Sequence, residues 1–212
     1  MAYEKAKKFI KKKLINQSSL IKEISLYTNE TRTLINNLKN DKKISNKICN
    51  KENYHNEEII IDMKNKNNIN INLSKIELPR EIKECKLRYK IIYIIIVNSN
   101  FRHLNVMLID NLKKTIEKFD TNDYLMSIRN SSKMFTLIND KIGLSNYKFI
   151  EQKKFLFSST RQDCNLCVPL SLLYIYLRII YELKLDDIIS LFSELNNKDL
   201  FRISNWFINY LY

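Results

Sequence analysis

Residues 162–175 constrain this chain more than any other stretch. A polar turn carries two thiols, Cys164 and Cys167, and Val168-Pro169-Leu170-Ser171-Leu172-Leu173-Tyr174-Ile175 follows at once. Proline lacks a backbone N–H and is tolerated in a helix only in the first turn. A helix is therefore expected to begin near Val168, with Cys167 at its N-terminus, where unpaired N–H groups and partial positive charge favour a thiolate. Leu170, Leu172, Leu173, Ile175, Leu177, Ile179 and Ile180 make that helix apolar nearly all round, the pattern of a central, buried element. The thiol is expected on its exposed tip, as a candidate nucleophile.

The remaining chain limits what that thiol can do. At 212 residues it can hold one sizeable core with a small appendage. Its single glycine, Gly143, excludes the glycine-rich loops that cradle nucleotide phosphates. No apolar run reaches the length of a membrane span, and the basic N-terminus lacks an apolar signal core. An intracellular location is expected, so Cys49, Cys85, Cys164 and Cys167 are read as free thiols. The two histidines are His55 and His103, and any histidine chemistry must use one of them.

Charge is uneven. Of the formal net +13, residues 1–50 hold twelve Lys/Arg against four Asp/Glu, a net of +8. A basic arm of this kind suits nucleic acid or an acidic partner, although a solvated lysine-rich helix surface explains it with fewer assumptions.

Periodicity divides the chain into a basic helical arm and linker, 1–57, and a core, 58–212. Residues 3–39 show helical spacing (Phe9, Leu14, Ile15; Leu20, Ile21, Ile24; Leu34, Ile35, Leu38), with a break at Gln17-Ser18-Ser19. Residues 40–57 are polar and aperiodic and contain His55, read as a surface residue. Short strands are expected at 58–63, 69–73, 104–110, 114–119, 147–150 and 155–157. The β-branched and aromatic run 89–97 predicts a strand buried on both faces. Residues 123–141 read as a helix capped by Gly143, and two more helices are expected at 186–195 and 198–211. The fold class is α+β: a mixed sheet of about five strands packed on the buried Cys167 helix.

Within it, 103–110 and 113–120 read as a hairpin. A two-residue turn at Asn111-Leu112 would set His103 directly opposite Asp120, with Cβ atoms about 4.5–5.5 Å apart. A carboxylate there would fix the imidazole tautomer and stabilise its charged form. Residues 97–100 and Asp110 are read as structural.

His103, the hydrophobic run to Asp110, Thr115-Ile116-Glu117-x-Phe119-Asp120, then Gln162 and Cys167-x-Pro169-x-Ser171-Leu172-x-Tyr174 together resemble the adenain and ubiquitin-like-protein protease superfamily. The similarity is nearest to its core-protease-like branch in large DNA viruses. It covers roughly residues 90–180, and the order His, acid, Gln, Cys agrees. The resemblance implies a cysteine protease with His103 as general base, Asp120 as its orienter, Gln162 as oxyanion donor and Cys167 as nucleophile. It implies a viral polyprotein or a ubiquitin-like or SUMO-like conjugate as substrate, cleaved after small residues, in host cytoplasm or virion. No cofactor or metal is implied. Leu104 stands where the family has tryptophan, Val168 where it has glycine, and Gln162 lies one residue nearer the cysteine than usual.

Other readings share these residues. Cys164 offers a rival register for the nucleophile, disfavoured because Pro169 would then fall in the second helical turn. Cys164-Asn165-Leu166-Cys167 is also a CxxC at a helix start, as in thiol-disulfide redox proteins. A single CxxC falls short of the four ligands of a structural zinc site. A protease fold that binds without turnover is the remaining alternative. The arm is expected to dock substrate or partner.

Overall fold

The computed structural model describes residues 1–15, 29–49, 58–65, 68–72, 85–98, 102–122, 144, 146–150, 152–157 and 166–212. His55, the expected helix at 123–141, Gly143, Gln162 and Cys164 lie outside them.

The architecture is α+β with a mixed sheet. Six strands, β1 (Glu58–Asn65), β2 (Asn68–Asn72), β3 (Tyr89–Asn98), β4 (Arg102–Asp110), β5 (Thr115–Phe119) and β6 (Lys148–Ile150), lie in the order β2-β1-β3-β4-β5-β6. β1–β3 and β5–β6 are parallel, and the other neighbours are antiparallel. Residues 155–157 form no strand; Phe157 makes an isolated bridge to Asn122. The central strand is buried as its sequence requires: every residue from Tyr89 to Ile94 is inaccessible, Lys90 included. Lys90 keeps its ammonium near a polar partner by reaching the Cys49 carbonyl at 3.5 Å.

Five helices accompany the sheet among the described residues: α1 (Ala2–Leu14), α2 (Asn29–Asn40), α3 (Cys167–Ile180), α4 (Leu185–Ser193) and α5 (Asn197–Leu211). α3 starts with Cys167 and places Pro169 in its first turn, where the missing N–H costs no hydrogen bond. Every residue from Cys167 to Ile179 is buried. Ala6 and Ile10 of α1, with Leu34, Ile35 and Leu38 of α2, share one apolar cluster with α3, α4 and α5. Ile44 and Ile48, within the stretch that reads as linker, are buried in it too.

Two further expectations change. The first is the hairpin register. Asn111 to Lys114 form a four-residue turn, and the first pair is Asp110 with Thr115, then Val106 with Phe119. The turn's chemistry explains this. The Asp110 carboxylate accepts the N–H groups of Leu112 (3.1 Å) and Lys113 (3.0 Å), and Lys114 closes the turn at φ 52°, in the left-handed region. The pairing is thus shifted by two residues from that of a two-residue turn. A shift of two, unlike a shift of one, leaves each side chain on its own face. Asp110 is structural, as expected: it also pairs with Arg88, Nη2 to Oδ2 at 3.0 Å.

The second concerns thiols. Cys49 and Cys85 are joined as a disulfide across 36 residues of sequence, where free cysteines are expected from the inferred compartment. The parallel bridge between Ile48 and Tyr89 brings the two segments side by side. The remaining cysteine among the described residues, Cys167, is buried.

Candidate active site

α3 is fastened to the sheet at intervals of three and four residues, which places the fasteners on one helical face. Ser171 Oγ donates to the Leu104 carbonyl of β4 at 3.4 Å. Tyr174 donates its hydroxyl to Glu117 Oε2 at 3.0 Å, and its ring stacks on Phe119 with centroids 4.5 Å apart. Arg178 donates twice to Glu117, Nε to Oε2 at 2.8 Å and Nη2 to Oε1 at 2.6 Å. Cys167 precedes Ser171 by four residues and so leaves the helix on this same sheet-facing side. Both sulfur and helix end are covered: Cys167 is 1% exposed, not the exposed tip expected from sequence.

Leu104 follows His103 directly, so the Ser171 contact sets the start of the second turn of α3 against the end of β4 that carries the histidine. Along β4 the side chains alternate. Leu104, Val106 and Leu108 join the cluster containing α3, whereas His103, Asn105 and Met107 take the other parity.

The sheet brings His103 and Asp120 together. His103 Nε2 lies 2.6 Å from Asp120 Oδ1, and the two side chains are 1% and 0% exposed. They meet diagonally. The observed register, continued one step past Phe119, puts Asp120 opposite Asn105, two residues along the strand from His103. Diagonal neighbours stand further apart at Cβ, yet stay within reach of long side chains, and imidazole spans the difference.

Three further groups hold the carboxylate. The Asn122 N–H donates to Oδ1 at 3.0 Å, and Lys118 Nζ lies 3.2 Å from Oδ2. Asn105, with its amide nitrogen turned toward Asp120 as the surrounding acceptors require, donates to Oδ1 at 2.7 Å and Oδ2 at 3.0 Å. Burial alone pushes the Asp120 carboxyl upward. The Lys118 ammonium, then His103 and the Asn122 N–H, outweigh it and hold the group below its ordinary value. Asp120 is a fixed anion, suited to orienting an imidazole and unsuited to taking its proton.

Gln152 grips the same residue by its backbone. Asp120 N–H donates to Gln152 Oε1 and Gln152 Nε2 donates to the Asp120 carbonyl, both at 2.8 Å.

Sequence reasoning misses Asn105, Lys118, Gln152 and the Glu117–Arg178–Tyr174 network. For two of them a signal existed. Asn105 and Lys118 each lie two residues from a named site residue, inside strands otherwise apolar on that side, and a polar group at such a position needs a buried partner. Among the described residues, no three His, Cys, Asp or Glu side chains cluster as metal ligands. Nor is any helix among them long and apolar enough to cross a membrane.

No family model matches the chain, and no curated protein matches it. Among solved structures it is similar to the SUMO protease Ulp1 with its catalytic cysteine oxidized to a sulfonic acid. That similarity has a TM-score of 0.45 at 15% identity and covers 98% of this chain and 94% of that one. The same protease with that cysteine as a sulfenic acid gives a TM-score of 0.42 at 14% identity, with the same coverage.

Proposed function

We propose that this chain is a cysteine protease with Cys167 as nucleophile, His103 as general base and Asp120 as the group that orients it. One observation carries the reading: a buried imidazole hydrogen-bonded to a buried carboxylate at 2.6 Å, on the strand end against which α3 is fastened one turn after Cys167. A buried ionisable pair near the N-terminal end of a cysteine-bearing helix is the kind of place where catalytic function concentrates.

The chemistry follows from the atoms. His103 Nε2–H is committed to Asp120, which makes Nδ1 the ring atom that takes the thiol proton. The α3 N-terminus favours the resulting thiolate, and Leu166, in the N-cap position, has no polar side chain to compete for its N–H groups. The thiolate attacks a substrate carbonyl carbon. The oxyanion is stabilised by the Cys167 backbone N–H and, by sequence position, Gln162. As the C–N bond breaks, the imidazolium gives its proton to the leaving amine, and a thioester remains. Water then attacks the thioester, the imidazole takes its proton, the C–S bond breaks and the thiol is restored. Because His103 has the parity opposite to Leu104, this step requires sulfur and ring to meet around the end of β4.

Substrate class comes from the sequence resemblance: a ubiquitin-like or SUMO-like conjugate, or a viral polyprotein, cleaved after small residues.

The test is mass-spectrometric mapping of a peptidyl vinyl-sulfone adduct at neutral pH on the intact, unreduced protein. A single adduct on Cys167, lost in His103→Ala, is expected. Labelling confined to Cys164 and indifferent to His103→Ala would overturn the assignment in favour of the CxxC reading. Equal, slow labelling of both thiols would remove the nucleophile altogether.

A further inference from the structure

We infer that Gln152 is a positioning residue that sets the angle of Asp120 toward His103, an inference resting on the protease reading above. Asp120 sits one residue past β5, where both neighbouring ladders have stopped. The antiparallel pairing with β4 ends at Val106–Phe119, and the parallel pairing with β6 ends at Glu117–Ile150. Its backbone N–H and C=O therefore lose their strand partners at the position where the carboxylate must be held most firmly. Buried peptide groups require partners, and a primary amide is the side chain that can imitate a neighbouring peptide, with one acceptor and a donor side by side.

Gln152 does this. Its Oε1 accepts the Asp120 N–H at 2.8 Å, its Nε2 donates to the Asp120 carbonyl at 2.8 Å, and the second amide hydrogen goes to the Lys154 carbonyl at 2.7 Å. The residue is 6% exposed. Just beyond it, Leu156 and Phe157 donate their N–H groups to the Thr121 carbonyl at 3.1 and 3.0 Å. The segment after β6 thus runs alongside residues 120–122, with the Gln152 side chain filling the place of the missing rung. Glutamine is specified chemically. Asparagine is one methylene too short, methionine keeps the shape without the hydrogen bonds, and glutamate would face the Asp120 and Lys154 carbonyls with an acceptor.

The experiment uses the full chain and the small number of histidines, His55 and His103, which makes imidazole 1H–15N spectra simple to assign with His55→Gln. In the parent protein the His103 ring N–H bonded to Asp120 should be visible in slow exchange with water. In Gln152→Met it should broaden or vanish. Turnover of a ubiquitin-like fusion substrate should lose about ten- to a hundredfold in kcat with little change in KM. A folded Gln152→Met that keeps both the His103 resonance and kcat overturns the inference. Should Gln152→Met not fold, hydrogen exchange at the Asp120 amide of the parent decides. Protection like that of β5 supports the clamp, and exchange at a free-peptide rate removes it. Failure of the protease reading is separable. There the parent protein would show no turnover and no Cys167 adduct, while Gln152→Met would still release the His103 ring proton.

Discussion

His103 and Asp120 touch across a hairpin without facing each other: Nε2 and Oδ1 are 2.6 Å apart, though the strand register places Asn105, not His103, opposite Asp120. The diagonal leaves room for Asn105 to donate to the same carboxylate. Asp120 thereby holds its charge while still directing one oxygen at the ring.

Asp120→Asn should therefore leave substrate binding nearly intact and lower kcat by about 10²-fold or more, because the amide can no longer fix the imidazole in the useful tautomer. Steady-state kinetics with kcat and KM resolved is the check. The same variant should alter acid sensitivity. A carboxyl held below its ordinary value in the fold contributes stability that is complete above about pH 4 and is lost as the pH falls through the lowered folded value. Urea midpoints measured between pH 6 and pH 2 should fall less steeply for Asp120→Asn than for the parent. Parallel curves would mean that Asp120 is not held as described.

Lys118 puts a second cation on Asp120, 3.2 Å from Oδ2 and almost without solvent. Its charge is the largest of the influences that hold the Asp120 carboxyl below its ordinary value against burial. Lys118→Met should let that carboxyl rise, so that kcat/KM begins to fall at a higher pH on the acid side. An acid limb that stays in place would show that the ammonium does not act on the carboxylate.

Much of this was readable from residues alone, for definite reasons. Pro169 fixes the start of α3 because its covalent geometry permits few alternatives, and the run from Tyr89 to Ile94 has no polar face to give to water except Lys90. The seventeen-residue step from His103 to Asp120 locates the pair whichever of two registers holds, because both keep the two residues on one face. The turn itself was not readable. Asn111-Leu112-Lys113-Lys114 lacks the glycine that marks a tight reversal, and the deciding interaction is a carboxylate, Asp110, accepting two later N–H groups. Nor could spacing reveal Gln152, which acts through amide geometry on a backbone 32 residues away. The same limit applies to Cys49 and Cys85, whose pairing depends on which strands become neighbours.

Glu117, Arg178 and Tyr174 bind β5 to α3 through a buried ion pair, with both charged groups 3% exposed. Glu117→Ala leaves Arg178 charged in an apolar layer, with the Asp110 carboxylate at 4.0 Å. Glu117→Ala should cost about 3–5 kcal/mol of stability, read from urea unfolding. The double variant Glu117→Leu/Arg178→Met should recover most of that loss, because two apolar groups need no partner. If the single and double variants are equally unstable, shape rather than charge pairing is what the site supplies.

The Cys49–Cys85 bond closes a loop of 36 residues and joins the segment after α2 to the start of β3. Chain-entropy arguments assign such a closure about 3–4 kcal/mol, mostly by restricting the unfolded chain. Alkylation after denaturation without reductant should therefore add two adducts, on Cys164 and Cys167, and with reductant four. Cys49→Ser should lower the urea midpoint by an amount matching that stabilisation, and dithiothreitol should lower the parent's midpoint equally while leaving Cys49→Ser unchanged. Four adducts without reductant would show that the two thiols are only neighbours. In that event Cys49→Ser should shift the midpoint by no more than the loss of one buried sulfur.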